Sequence, residues 1–214
     1  MKVLPTVAYC MNLDSRTDRW EQVVKDFTRL QTVMPITIER VSSVANPKKP
    51  QEGVAATVHK IIIKAKRESL PYVLILEDDL FIIDPKKVKQ CLENAPNNWD
   101  ILSGGVYYYR AEKSWSEDWM KMKDFCSLHF IILRNTIYDQ VLTMTGKSQH
   151  LDRLLAGEVR YGRMTMYLMH PMPCQQRPGF SNIRRRVVDD NRRKLPWIQN
   201  ADTLCGVASP QATL

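Results

Sequence analysis

The feature that most constrains this chain is a short aliphatic run that ends in three consecutive acids. Residues 73–76 are aliphatic, Pro71 lies just before them, and Glu77, Asp78 and Asp79 follow directly. A run bounded in this way predicts a fully buried strand that ends in a loop. Because ligands bind beyond the carboxyl ends of the strands in open α/β sheets, the three acids are predicted to lie at the mouth of a site.

The three acids favour a bound cation. Adjacent carboxylates repel one another and raise each other's pKa values unless a positive charge neutralises them. A hard divalent ion such as Mg²⁺ or Mn²⁺, held by one or two carboxylates and by substrate phosphates, removes the repulsion. A solvated acidic turn after a core strand is the alternative, because the pattern is short and acidic loops are common.

The flanking sequence predicts an α/β fold. Hydrophobic periodicity places strands over 6–13, 36–41 and 73–76 and helices over 16–31 and 54–69. This β-α-β-α-β order is the sign of a mostly parallel sheet with helices on both faces. The second half adds predicted strands over 99–103, 126–133 and 164–169 and predicted helices over 85–92, 135–144 and 151–155.

Length and composition limit the class of protein. The chain has 214 residues, of which 44% are hydrophobic and 25% charged, which suffices for a substantial core. We expect one domain over 1–200 and a flexible tail over 201–214. No run approaches the ~20 apolar residues of a membrane span. The five scattered cysteines form no CxxC pair, which predicts a reducing, cytoplasmic environment without structural zinc or a disulfide scaffold.

The charge is basic, with a formal net value of +8. Much of the excess lies late, over 184–186 and 192–194, in a segment that also contains Asp189 and Asp190. Such a run is usually a solvated face, although it can also attract a polyphosphate ligand or an acidic acceptor. We therefore predict no nucleic-acid partner and keep a basic nucleic-acid-binding module only as a third hypothesis.

Several polar residues and glycines follow predicted strands. Asn12, Arg16 and Arg19 lie at the first strand-turn-helix junction, where a helix N-terminus and cations can meet a nucleotide. Arg16 and Arg19 can equally pair with nearby acids. Gly104 and Gly105 end a later strand and permit close approach of a ligand or a tight turn. The aromatic region formed by residues 107–109, Trp115 and Trp119 is either a sugar-stacking surface or core.

Two motifs resemble the family 25 glycosyltransferases closely. Residues 11–20, MNLDSRTDRW, resemble the family's N-L-D-x-R-x-x-R-W motif, and residues 76–80, LEDDL, match its acidic metal motif, a variant of DxD. Gly53 with residues 57–59 is similar to the family's glycine-plus-Ser-His helix but departs from it at Thr57 and Val58.

Weaker echoes of the same family follow in the second half, so the resemblance spans 9–183. They are residues 130–133, Asp152, Gln175 or Gln176, and residues 181–183. The compact size also resembles the small glycosyltransferase domains that large chlorella viruses encode to decorate their capsid protein.

The resemblance implies a GT-A, Rossmann-like fold with a mixed, mostly parallel sheet. It implies an inverting transferase that moves a hexose or deoxyhexose, of the glucose or rhamnose type, from a UDP-sugar to a glycan or glycoprotein. The implied cofactor is Mn²⁺ or Mg²⁺. For a viral protein the implied acceptor is the capsid protein and the implied location is the host cytoplasm.

The resemblance also assigns roles. The implied metal ligands are Asp79, Asp78 and His170, with Glu77 assisting. The implied donor-binding residues are Asn12, Arg16, Arg19, His59, Lys60, Glu77, Asp78, Gly104 and Gly105. An inverting reaction needs a general base; the residue implied for that role is Asp152, with Glu158 second.

A metal-dependent nucleotidyl or phosphoryl transferase is the second hypothesis, since such enzymes also use paired carboxylates at a strand end. The chain lacks the glycine-lysine motif of a P-loop. It also lacks the DxDG[TS] continuation of haloacid-dehalogenase-type phosphatases.

Overall fold

The computed structural model of the chain describes residues 2–181 and 186–188. The strands of its first half are β1 (Val7–Asn12), β2 (Thr37–Ser42), β3 (Tyr72–Glu77), β4 (Leu80–Ile82) and β5 (Ile101–Ser103). The later strands are β6 (Tyr108–Trp115), β7 (Trp119–Cys126), β8 (Phe130–Arg134), β9 (Met166–Met169), β10 (Cys174–Gln176), β11 (Gly179–Ser181) and β12 (Arg186–Val188). The helices are α1 (Thr17–Gln31), α2 (Pro50–Arg67), α3 (Pro85–Glu93), α4 (Tyr138–Thr145) and α5 (Leu151–Arg160).

Among the described residues, eight strands form one mixed sheet in the order β2-β1-β3-β8-β5-β9-β7-β6. β1 is parallel to both β2 and β3. β8 is antiparallel to β3 and to β5, and β5 is parallel to β9. The carboxyl ends of β1, β3, β5 and β9 therefore lie at one edge of the sheet. The predicted α/β class, a mixed sheet flanked by helices, is confirmed.

The central strand separates two halves of the core, because side chains alternate across a strand. Val73 and Ile75 pack on the face that carries α2, α4 and α5. Leu74 and Leu76 pack on the face that carries α1 and α3. All four side chains are almost completely buried, which explains why β3 is continuously aliphatic. A Leu74→Ala substitution here is expected to cost about 2–5 kcal/mol.

Helix starts follow local chemistry. Asp84 caps α3, accepting a hydrogen bond from the Lys87 N–H, and Pro85 occupies the first turn, positions at which these residue types are favoured. α2 begins four residues earlier than predicted, because Pro50 opens it. Asp14 and Ser15 have side chains typical of an N-cap and precede α1, but they do not cap it: Arg16 is the N-cap residue and makes no side-chain capping bond.

The second half differs most from the prediction. The single strand predicted over 126–133 is divided, because Ser127 has a φ of 127° and separates β7 from β8. The aromatic region belongs to the antiparallel hairpin β6–β7. Trp119 is 2% exposed, which supports the core interpretation for that side chain.

Some predictions lie outside the described residues. These are the tail over 201–214, the basic cluster over 192–194 and most of the motif over 181–183; residues 184 and 185 lie outside as well. Within the described part, no helix combines the length and apolar character needed to cross a bilayer.

Candidate functional site

The acidic turn lies where the sequence places it, at the carboxyl end of β3. Glu77 ends the strand, and its N–H donates to the His129 carbonyl oxygen (3.2 Å). Asp78 and Asp79 form the turn that leads into β4. The side chains of Asp78 and Asp79 are 12% and 21% exposed, so this is a largely enclosed cluster and not a solvated loop.

Asp78 joins β1, α1 and the turn. Its Oδ2 accepts a hydrogen bond from Asn12 Nδ2 at 2.7 Å, and its Oδ1 pairs with Arg19 Nη1 at 2.9 Å. Arg19 Nη1 also reaches Asp79 Oδ2 at 3.3 Å. The structure therefore brings together Asn12, Arg19, Asp78 and Asp79, which the sequence proposed from two separate motifs.

Arg40 is a neighbour that the sequence analysis missed. Its Nε donates to Asn12 Oδ1 at 2.8 Å, and its Nη2 pairs with Asp14 at 2.9 Å. The bond to Arg40 orients the Asn12 amide, so that its Nδ2 faces Asp78. A cation near the carboxyl end of a predicted parallel strand is the signal that points to Arg40.

Gln176 is the second neighbour; the sequence analysis named Gln175 or Gln176 only as part of the weaker resemblance and gave neither a role. Its Nε2 donates to Glu77 Oε2 at 3.0 Å and lies 3.4 Å from Asp79 Oδ1. β10 carries this residue because it pairs antiparallel with β4, with Gln176 opposite Leu80. The Arg177 N–H, one residue further, donates to the Asp79 carbonyl oxygen (2.6 Å).

Burial disfavours the ionised forms of Glu77 and Asp79. Burial raises the pKa of Glu77 well above its ordinary value, and the charges of Asp79, Asp152 and Asp78 add to the effect. Burial likewise raises the pKa of Asp79 to about 6, although Arg19 opposes the rise. Burial is therefore the main reason that the carboxylates of Glu77 and Asp79 resist ionisation.

Asp152 lies within electrostatic reach of this turn. It occupies the first turn of α5, and its Oδ2 accepts from the Ser127 N–H at 3.1 Å. Its Oδ1 accepts from the Arg153 N–H at 2.8 Å. Burial raises the pKa of Asp152, which makes the carboxylate a stronger base. The predicted second choice, Glu158, instead pairs with Arg163 at 2.6 Å.

Gly104 and Gly105 pack against the segment that delivers Gln176. A Cβ on Gly105 would lie 2.1 Å from the Cys174 carbonyl oxygen, and one on Gly104 would lie 2.9 Å from the Phe130 ring. Only glycine lets β10 approach the end of β5 so closely. This packing accounts for both glycines; their place in a sugar pocket stays a prediction.

Two other predicted residues lie apart from the turn, whereas Arg16 borders it, because its carbonyl oxygen accepts from Asn12 Nδ2 at 2.9 Å. Arg16 makes the local ion pair with Asp18, at 2.8 Å. His59 and Lys60 are exposed on α2, where His59 Nδ1 and the Thr145 hydroxyl lie 2.7 Å apart. Neither the ion pair of Arg16 with Asp18 nor the contact of His59 with Thr145 involves the acidic turn.

His170 follows β9, three strand positions from β3, which is roughly 14 Å across the sheet. Its N–H donates to the Asp118 carbonyl oxygen at 2.8 Å. Across the described residues, no three His, Cys, Asp or Glu side chains converge as a ready-made metal site. His170 therefore does not complete a preformed site with Asp78 and Asp79.

The comparisons with known proteins bear on the fold. No family model matches the chain, and no curated protein matches it. A structure of a mutant Drosophila β-1,4-galactosyltransferase 7, in complex with manganese, UDP-Gal and xylobiose, matches with a TM-score of 0.51 at 11% identity, covering 95% of this chain and 79% of that one.

Two further structures match more weakly. A glycosyltransferase involved in glycosylation of the major capsid of PBCV-1 gives a TM-score of 0.45 at 9% identity, over 67% of this chain and 66% of that one. A mannose-1-phosphate geranyltransferase from Thermus thermophilus gives 0.48 at 12% identity, over 81% and 76%. These two matches carry no argument of their own. The match to the galactosyltransferase shows that this chain shares the fold of a GT-A-like glycosyltransferase. Membership of family 25 is not confirmed.

Proposed function

We propose that this chain is a metal-dependent glycosyltransferase that moves a hexose or deoxyhexose from a UDP-sugar to a glycan or glycoprotein, with inversion. One observation carries the proposal: Glu77, Asp78 and Asp79 share an enclosed site at the carboxyl edge of the sheet, within reach of Asp152. The shared fold with a glycosyltransferase supports it.

The donor set fits a divalent cation. Asp78 is committed to Asn12 and Arg19 through short bonds, whereas Asp79 is more exposed and has longer contacts of 3.3 and 3.4 Å. We therefore assign cation binding to Asp79 with Glu77, completed by diphosphate oxygens. When bound, Mn²⁺ or Mg²⁺ supplies a Lewis acid for the charge that develops on the departing diphosphate.

Donor binding is assigned to the first strand-turn-helix unit. Asn12 and Arg19 border the acidic turn, and Arg16 stands at the N-terminus of α1. A helix N-terminus with neighbouring guanidinium groups is a common binding site for phosphate groups. We further propose donor contacts for His59, Lys60, Gly104 and Gly105, of which His59 contacts Thr145 and the two glycines pack against β8 and β10.

Asp152 is assigned as the general base. A base must accept the proton of the acceptor hydroxyl near the sugar carbon that is attacked, and Asp152 lies close enough to influence Glu77. Ser127 and Arg153 fix its orientation through backbone N–H groups. We also propose one catalytic domain over 1–200. A capsid-protein acceptor rests on the sequence resemblance alone. A cytoplasmic location rests on the resemblance and on the cysteine pattern, although Cys126 is disulfide-bonded.

The decisive experiment incubates the protein with Mn²⁺ and a panel of UDP-sugars (glucose, galactose and rhamnose) and measures released UDP. We expect hydrolysis of one sugar above the others, and loss of it with a chelator. Thermal melting with UDP, GDP or CMP should show a midpoint rise for UDP that requires Mn²⁺, because a ligand of the native state stabilises it by mass action.

Three outcomes would point elsewhere. Pyrophosphate release from nucleoside triphosphates, without UDP release, would support nucleotidyl transfer. Stabilisation by duplex DNA without metal, weakening steeply with salt, would support the nucleic-acid module. No response to any nucleotide with Mn²⁺ would contradict the proposed transferase.

A further inference from the structure

Gln176 contacts two carboxylates of the acidic turn, and the proposed function gives this residue no role. The amide nitrogen lies between Glu77 Oε2 and Asp79 Oδ1, at 3.0 and 3.4 Å. These are the two residues to which we assign the cation. The amide N–H₂ group of Gln176 thus lies where a cation shared by the two carboxylates would interact with both.

We propose that Gln176 is an exchangeable third ligand of the cation site: its N–H₂ group holds the two acids when no metal is bound, and its carbonyl oxygen binds the metal when one is present. This inference rests on the proposed function. The inference goes beyond the proposed function because it assigns to the metal site a residue that is 99 positions from Glu77 in the sequence.

The chemistry of the amide permits the exchange. A glutamine side chain carries a two-hydrogen donor and a carbonyl acceptor on one planar group, so rotation about its last bond exchanges the two. Hard divalent cations accept amide carbonyl oxygens as ligands alongside carboxylates. A glutamate or a lysine at this position could satisfy only one of the two states.

The spacing also fits both states. In an octahedral site with metal–oxygen distances near ~2.1 Å, neighbouring ligand oxygens are roughly 3.0 Å apart. The amide nitrogen is 3.0 Å from Glu77 Oε2. With the backbone unchanged, the amide of Gln176 can therefore either donate a hydrogen bond to Glu77 or place its oxygen beside that of Glu77 as a second metal ligand.

The backbone that carries Gln176 is firmly held. The Cys174 N–H donates to the Gly104 carbonyl oxygen at 3.2 Å, and the Ile83 N–H donates to the Pro173 carbonyl oxygen at 2.8 Å. Gly105 permits the closest approach, since a Cβ there would overlap the Cys174 carbonyl. The ligand position is thus preorganised, as a metal site requires.

The test measures Mn²⁺ binding directly, by the electron paramagnetic resonance signal of free Mn²⁺, with Mn²⁺ alone and at saturating UDP. Gln176→Leu removes both amide functions, Gln176→Glu keeps an oxygen, and Gln175→Leu is the matched control on the same strand. We expect Gln176→Leu to weaken Mn²⁺ binding by about tenfold or more. Gln176→Glu should retain or tighten binding, and Gln175→Leu should match the wild type.

The outcomes separate this inference from the proposed function. If the wild type binds Mn²⁺ and Gln176→Leu binds it equally well or better, Gln176 is only a hydrogen-bond donor and the inference fails, while the transferase proposal stands. Equal losses in Gln176→Leu and Gln176→Glu also overturn it. If the wild type binds no Mn²⁺ even with UDP, both proposals fail. Should Gln176→Leu not fold, the comparison of Gln176→Glu with Gln175→Leu decides.

Discussion

Two regions of this protein bury carboxylates to a similar degree but differ in how far neighbouring cations compensate the negative charge. Asp118 and Asp124, beside and within β7, have side chains that are 12% and 6% exposed, close to the 12% of Asp78. Asp118 accepts from Lys87 and Gln90, both at 2.8 Å, and from Asn94 at 3.0 Å. The carboxylate of Asp118 is therefore compensated by one cation and two amide donors from within the protein.

The carboxylate of Asp124 is also compensated within the protein. It pairs with Arg153 at 3.0 Å and with Arg160 at 2.8 Å, so two guanidinium groups meet one carboxylate. At the acidic turn the ratio is reversed, because Asp78 and Asp79 share the guanidinium group of Arg19, and the other side-chain partners of the three acids are the neutral amides of Asn12 and Gln176. A buried acid with full compensation stabilises a fold; a buried acid without it is a candidate for ligand binding.

The largest expected effect comes from Asp152→Asn, which removes the proposed base and keeps the shape. Turnover should fall by roughly 10²- to 10⁴-fold, with UDP and Mn²⁺ binding unchanged. Steady-state UDP release and thermal shifts measure the two quantities. Asp139→Asn, at an exposed acid on α4 that pairs with Lys66, is the matched control. Undiminished turnover would remove Asp152 from this role.

Asp79→Asn should lower turnover by about 10²- to 10³-fold, since it removes a proposed ligand of the charge that stabilises the leaving group. The free energy of unfolding should stay within about 1 kcal/mol of the wild type or rise, because a neutral amide escapes the cost of burial. Chemical denaturation measures this. A strongly destabilised variant would mean that Asp79 is as structural as Asp124.

Asp124→Asn should do the reverse and destabilise the protein by about 3 kcal/mol, because Arg153 loses a buried partner. The midpoint of denaturation at pH 7 measures the effect. Mn²⁺ affinity in the variant that remains folded should change little. A stability loss smaller than that of Asp79→Asn would break the contrast between the two regions.

The smallest effect is a pH dependence. Burial alone would raise the pKa of Asp118, but hydrogen bonds from Lys87 and Asn94 hold it below the ordinary value of 3.8. A depressed folded-state pKa contributes stability above the unfolded pKa and loses it as the pH falls through the folded one. The stability gap between the wild type and Asp118→Asn should therefore be full at pH 6 and shrink below pH 3.8. A gap that stays constant down to acid unfolding would contradict the proposed compensation.

The sequence was a reliable guide wherever the signal is local. The alternation of strands and helices from β1 to β3, the Asp84 cap of α3 and the acids after β3 follow from neighbouring residues. It failed where strands pair at a distance. The β6–β7 hairpin carries mixed polar and aromatic residues, with register shifts near Arg110 and Ala111, so no clean period of two identifies it.

By itself, the sequence determined that a buried strand ends in three acids at the ligand-binding edge of an α/β sheet, because hydrophobic runs and charges are written in consecutive residues. The tertiary structure alone decided which acids are compensated and which are not. Arg40 meets Asn12 across β1 and β2, and Gln176 meets Glu77 over 99 positions of chain. Such contacts depend on how whole strands pair and pack, and those energies are not encoded in any one stretch of residues.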